Sequence, residues 1–157
     1  MFGTLAPQEI ETLLEQQLIG RVGCHYEGIT YVVPISYVYS DGCIYGHTRE
    51  GMKLNFMRNS PSVCFQVDDT RNLDNWKSAI CWGNFEEISN ETERSEAIEK
   101  LLGRVLPVVS SETMHISPQW PFPPKSNEQI GGIVFRIRLT RKSGRFERSS
   151  GNAYFAT

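Results

Sequence analysis

The chain reads as a mainly β protein, an antiparallel barrel or sandwich with appended helices. Three observations predict this. About six runs of strand composition are joined mostly by turns. Helical periodicity interrupts them in only two or three places. The strand–helix alternation of a doubly wound sheet is missing, and no G-x-G-x-x-G stretch occurs. At 157 residues and 17.9 kDa the chain suits one domain with a real core. That domain spans 1–157, with its core at about 5–146 and a tail at 147–157, and no internal repeat divides it.

The elements follow in order. Pro7 to Gln17 predicts a helix: proline suits its first turn, acids follow, and Ile10, Leu13, Leu14 and Leu18 form an apolar stripe. Ile19 to Tyr26 is a strand that sets Val22, Cys24 and Tyr26 against Arg21, Gly23 and His25. Glu27-Gly28 turns the chain. Thr30 to Tyr39, rich in valine and tyrosine, is the second strand, and Ser40-Asp41-Gly42 turns into a third at Cys43 to His47. Pro34 inside the second strand points to an edge or a bulge, because proline cannot donate to a ladder. Gly51 to Asn59 is a short helix, ended before Pro61. Strands at Ser62 to Asp68 and Ser78 to Ile88 follow, with Asp68-Asp69 running into the loop between them. Asn90-x-x-Glu93 is a capping box for a helix with Ala97, Ile98, Leu101 and Leu102 on one face and Gly103 at its end. Residues 106–126 hold five prolines around Trp120 and Phe122, a long loop of the kind that is functional or lies at an interface. A last strand runs from Gly132 to Leu139 and extends toward Phe146.

Charge and composition exclude several classes. Sixteen basic and 18 acidic side chains and a pI of about 5.9 argue against a nucleic-acid binder. No apolar run approaches the roughly 20 residues of a membrane helix. The N-terminus lacks the basic and apolar regions of a signal peptide, so the cytoplasm is expected. The four cysteines form no Cys-x-x-Cys and read as buried thiols. The three histidines show no metal-ligand spacing, and no metal is expected. No Ser-His-Asp arrangement or P-loop stands out, and Glu86 and Glu87, adjacent on a strand, point to opposite faces.

The segment with the most chemistry is Tyr45-Gly-His-Thr-Arg-Glu-Gly-Met-Lys53. A short strand runs into small, hydroxyl and cationic residues and then into a helix. Thr48 offers a hydroxyl, Arg49, Lys53 and Arg58 offer charge, and Gly51 lets backbone N–H groups approach a ligand. This combination suits the phosphate of a bound cofactor. Each residue also has a structural reading. Arg49 and Lys53 could be solvated helix charges, Arg58 could hold the last carbonyls of its helix, and Thr48 could cap the segment after it. His47 ends a strand beside the pocket and alternates with Tyr45 and Cys43, so it is either a core histidine or a proton donor.

Ile19-Gly-Arg-Val-Gly23, Tyr31-Val-Val-Pro-Ile-Ser-Tyr37, Ile44-Tyr-Gly-His-Thr48 with Gly51 and Lys53, Pro61-Ser-Val-Cys-Phe-Gln-Val67 and Trp76-Lys-Ser-Ala-Ile-Cys-Trp-Gly83 together resemble the pyridoxamine 5'-phosphate oxidase-like, FMN-binding split-barrel proteins. The branch nearest is the one containing the nitroimidazole-resistance flavoproteins. The resemblance covers about residues 5 to 146. It implies a homodimer of antiparallel, Greek-key-like split β-barrels with FMN in the cleft between subunits. The phosphate would meet Thr48, Arg49, Lys53 and Arg58. The flavin ring would lie near Val33, Pro34, Ile35, Tyr45 and His47, and the partner subunit would complete the pocket around Trp76 to Trp82. A C-terminal substrate motif of the pyridoxamine-phosphate oxidases themselves is not recognisable, so vitamin B6 oxidation is not implied.

The activity this suggests is electron transfer from bound FMN to a small acceptor: a nitro compound, a quinone or oxygen. Two alternatives stay open. One is a non-catalytic flavin carrier or redox sensor. The other is a split-barrel module for haem or a deazaflavin.

Overall fold

The computed structural model describes residues 1–104 and 131–149. It is mostly one antiparallel sheet with three helices: β1 (Phe2–Thr4), α1 (Pro7–Gln16), β2 (Ile19–Tyr26), β3 (Ile29–Ser36), β4 (Val38–Ser40), β5 (Cys43–Thr48), α2 (Met52–Asn59), β6 (Ser62–Asn72), β7 (Asn75–Glu87), α3 (Glu91–Leu102) and β8 (Ile133–Glu147). The strand order is β3-β2-β6-β7-β8-β5-β4, with β1 on the far end of β8. Strands β5, β8, β7 and β6 stand in Greek-key order. The sheet coils until β3 approaches β5 but does not close, so the barrel is split.

The two short turns expected at 27–28 and 41–42 form with both central residues in the left-handed region, the geometry that matches strand twist. The second expected strand is corrected. It breaks at Tyr37, where the chain leaves β2 and begins to pair with β5. Tyr37 is buried, packs edge-on against Phe65, and donates its hydroxyl to the Leu14 carbonyl at 2.7 Å. The break is a tertiary anchor, invisible where valine and tyrosine continue on both sides. A second correction concerns Asp68-Asp69, which lie inside β6 opposite Ser78 and Lys77. Asp68 accepts from Arg21 on β2 and from Gln66 and Thr70, so cross-strand pairing overrides the weak strand preference of aspartate. With β1 and β4 counted, eight strands among the described residues replace the expected six or so. The proline-rich loop at 106–126 lies outside the described residues.

Two clusters form the interior. The larger fills the barrel with Val22, Phe65, Val67, Cys81, Phe135 and Ile137, closed by Leu13 and Leu14 of α1 and by Leu54 and Met57 of α2. The smaller lies between the outer side of β5 and α3: Cys43, Tyr45, Ile88, Ala97, Ile98, Leu101 and Val134. Asn90 caps α3 as expected, its side chain accepting from the Glu93 N–H at 3.1 Å. Leu102 departs from the expected face and is exposed. No helix among the described residues is long and apolar enough to cross a membrane.

Candidate functional site

The split in the barrel is where the chemistry-bearing segment arrives. β5 pairs with β4 only through Cys43–Tyr45, so among the described residues the Gly46–Thr48 end has no strand on that side. β3 is the opposite edge of the sheet and, among the described residues, pairs only with β2. Pro34 therefore sits on an edge strand, one of the two placements its missing N–H allows. Val33 and Ile35 point toward the barrel, while Pro34 and Ser36 point outward.

At one end of this split lies α2. Its N-cap, Gly51, carries no side-chain cap, and the space a side chain there would fill is open. Thr48 donates to the Arg49 carbonyl instead of capping the helix. Lys53 is half-buried near Cys24, and burial pushes its ammonium below the ordinary lysine range. No carboxylate among the described residues pairs with Lys53 or Arg49. A half-buried cation, an exposed one and uncapped N–H groups thus follow one another between Arg49 and Lys53, donor chemistry that a phosphate would fit. Arg58 differs. Its guanidinium is held by Glu87, at 2.9 and 2.8 Å, and by Glu50, at 2.8 Å.

His47 occupies the outer side of the split. Its Nε2 lies 2.5 Å from the Gly131 carbonyl. A carbonyl only accepts, so Nε2 carries the proton and Nδ1 is free to accept in the neutral ring. Gly132 continues over the ring with a φ of +81°, and a Cβ there would lie 2.7 Å from the Thr48 carbonyl, so only glycine fits. Burial above all lowers the imidazole pKa below 6.5. The Gly131 hydrogen bond opposes this, and the charges of Arg94, Arg49 and Arg104 add to it. The ring is mainly neutral at pH 7. Tyr45, on the same face of β5, is buried beneath α3 with the Lys100 ammonium 4.6 Å from its ring centre, so α3 covers it.

One residue that sequence reasoning passed over belongs to this region. Arg104, just past α3, donates from Nε to the Leu101 carbonyl at 2.8 Å and from Nη1 to Ser36 Oγ at 2.5 Å. It bridges the end of α3 to the free edge of β3. In sequence it is one basic residue after a helix-ending Gly103, a common place for a solvated arginine.

Trp82 lies elsewhere. It is on the outer face of β7 with Trp76, Ser78 and Ile80, in a shallow groove of about 240 Å³ completed by Ser143 and Arg145. Register runs from Val32 through Gly23 and Cys64 to Trp82, so three strand spacings, about 14 Å, separate it from β3 of its own chain. Ile80, Trp82 and Val32 on this face are 43, 38 and 64% exposed, which leaves an apolar patch across several strands. Among the described residues no group of histidine, cysteine and acidic side chains could hold a metal ion.

The sequence pattern of the pyridoxamine 5'-phosphate oxidase family matches residues 6–146. A FAD-binding protein of Mesorhizobium loti has a similar structure, with a TM-score of 0.71 and 29% identity, covering 93% of this chain and 98% of that one. A candidate 5-nitroimidazole antibiotic resistance protein of Bacteroides thetaiotaomicron shares the fold, with a TM-score of 0.72, 21% identity and coverage of 93 and 87%. An uncharacterized protein of Rhizobium meliloti is 26% identical over 84 residues, which are 54% of this chain and 56% of that protein's length.

Proposed function

The chain belongs to the pyridoxamine 5'-phosphate oxidase family, and on that premise we propose that it is an FMN-binding flavoprotein that reduces a small acceptor. The observation that carries the reading is Lys53: a half-buried ammonium without a carboxylate partner among the described residues, beside an uncapped helix end and open space. Such a cation is costly unless an anion meets it. Lys53 and Arg49 would hold the phosphate, with Thr48 at the strand end beside them. The Val33–Ile35 edge, with Pro34 outward, would receive the ring. Arg58, already held by two carboxylates, contributes less to the phosphate than the other cations.

FMN when bound supplies reversible two-electron transfer. The chain's own work is to position it, exclude water and deliver a proton. His47 is the candidate donor. Its ring is held by Gly131 and is mainly neutral, so donation draws on a minor imidazolium population that grows as pH falls. The acceptor would be a nitro compound, a quinone or oxygen.

A homodimer with FMN in the inter-subunit cleft agrees with the apolar outer face and with Trp82, which lies too far from β3 to complete the pocket of its own chain. The relative named as FAD-binding supports a second reading, FAD in the same cleft. The test is the visible spectrum of the purified protein, followed by chromatography of the released flavin against FMN and FAD. Oxidised-flavin absorption with FMN released supports the proposal, and a Soret band or no chromophore after reconstitution overturns it. Anaerobic bleaching by a nicotinamide donor then separates an enzyme from a passive carrier.

A further inference from the structure

The segment that offers an anion site also contains an anion. Between Asp41 and Asp68 the chain carries one acidic residue, Glu50, and it stands between Arg49 and the Gly51 N-cap of α2. A carboxylate one residue before a helix cap is drawn to the free N–H groups and positive dipole of that helix end. There it would compete with a phosphate. In the folded chain it is held elsewhere. Glu50 Oε2 accepts from Nη1 of Arg58, in the last turn of α2, at 2.8 Å. The rise from Met52 to Arg58 is about 9 Å, so the contact draws the carboxylate along the flank of the helix and not across its N-terminus. Arg58 is itself fixed. Its Nε and Nη2 donate to the two oxygens of Glu87 at 2.9 and 2.8 Å, a bidentate fork. Glu87 ends β7 and stands opposite Phe135 of β8, so the fork is anchored on the sheet. The guanidinium holds the Glu87 carboxyl below the ordinary carboxylate range. An isolated exposed ion pair contributes little, but a fork joined to a second pair keeps one geometry. All three nitrogens of Arg58 thus donate to carboxylates, whereas Lys53 and Arg49 have no such partner among the described residues.

We propose that Arg58 is a positioning residue: braced by Glu87, it holds the Glu50 carboxylate away from the α2 N-terminus and so keeps the Arg49–Lys53 segment open to the cofactor phosphate without touching that phosphate. The proposal rests on the flavin reading above. Arg58 acts on the ligand only through Glu50. Freed from Arg58, the Glu50 carboxylate would turn to Lys53, Arg49 and the helix N–H groups and block the segment from within.

The test is fluorescence titration of the full-length flavin-free parent and three variants with FMN and with riboflavin. Arg58→Gln should bind FMN about tenfold more weakly than the parent and riboflavin within about threefold of it. Glu50→Gln should bind FMN at least as tightly as the parent. The double variant, Arg58→Gln with Glu50→Gln, should recover FMN affinity to within about threefold of the parent. Neither a phosphate ligand nor a merely structural residue would give that recovery. Unchanged FMN affinity in Arg58→Gln, equal losses for the two flavins, weaker FMN binding in Glu50→Gln, or no recovery in the double variant overturns the proposal. If Arg58→Gln does not fold, Arg58→Met, which keeps the aliphatic stem, replaces it in the same cycle with the same outcomes. A parent that binds neither flavin refutes the flavin reading alone. The cycle is then read with inorganic phosphate, and equal phosphate affinity in all four proteins overturns the role of Arg58.

Discussion

Replacing Lys53 with methionine keeps the aliphatic stem and removes the charge. The flavin-free and flavin-bound proteins should respond in opposite directions. Without flavin, Lys53 is half-buried with no carboxylate partner among the described residues, and burial holds its pKa below 10.5. A lysine with a depressed folded-state pKa binds its proton more tightly in the unfolded chain. At neutral pH its charge therefore favours unfolding. The flavin-free variant should be at least as stable as the parent, with an equal or higher Tm. With FMN bound, the ammonium would make a charge-assisted contact to the phosphate, which contributes about 1.5–3 kcal/mol. That corresponds to a loss of about 10- to 150-fold in FMN affinity. Riboflavin has no phosphate and should bind parent and variant within about threefold. Fluorescence titration with both flavins, alongside melting of the flavin-free proteins, reads all three quantities. Equal losses for the two flavins, or a lower Tm in the flavin-free variant, would refute the reasoning.

Ile80→Glu places a charge on the apolar outer face. Sedimentation should show the variant as a monomer that has lost FMN, and a stable dimer would remove this face as the interface. Because the His47 pKa lies below 6.5 in the folded chain, the unfolded chain binds more protons on acidification. Its stability contribution is complete above pH 6.5 and declines as pH falls through that value. Urea midpoints between pH 5 and 8, as order-of-magnitude limits set by histidine titration, should slope less in His47→Gln than in the parent. If His47 is also the proton donor, the same variant should keep FMN but reoxidise about 10²–10⁴-fold more slowly, and parental rates would leave it a structural residue. Tyr37→Phe removes a buried donor from the Leu14 carbonyl. It should cost about 1–3 kcal/mol, read as a lower urea midpoint at unchanged slope, and an unchanged midpoint would show that the hydroxyl does not anchor the β3–β4 break.

The sequence by itself determined the elements whose signals are local. Alternation fixes β2 from Ile19 to Tyr26, a first-turn proline starts α1, Asn90 starts α3, and Gly28 and Gly42, free to take left-handed backbone, mark the two turns. It also determined that cations, a hydroxyl and a glycine converge where β5 meets α2, because these residues are neighbours in the chain. Tertiary structure decided everything that depends on distant partners. The break at Tyr37 needs Leu14 and Phe65, and the length of β6 needs Arg21 and Ser78 across the ladder. The cations of the anion segment differ in their surroundings, not in type. Glu87, 29 residues away, holds Arg58, while Lys53 is half-buried without a described carboxylate. Arg104 joins the region only because the end of α3 reaches Ser36, a contact spanning 68 residues. Local periodicity records which face of an element is apolar, but not which charge a folded chain leaves uncompensated.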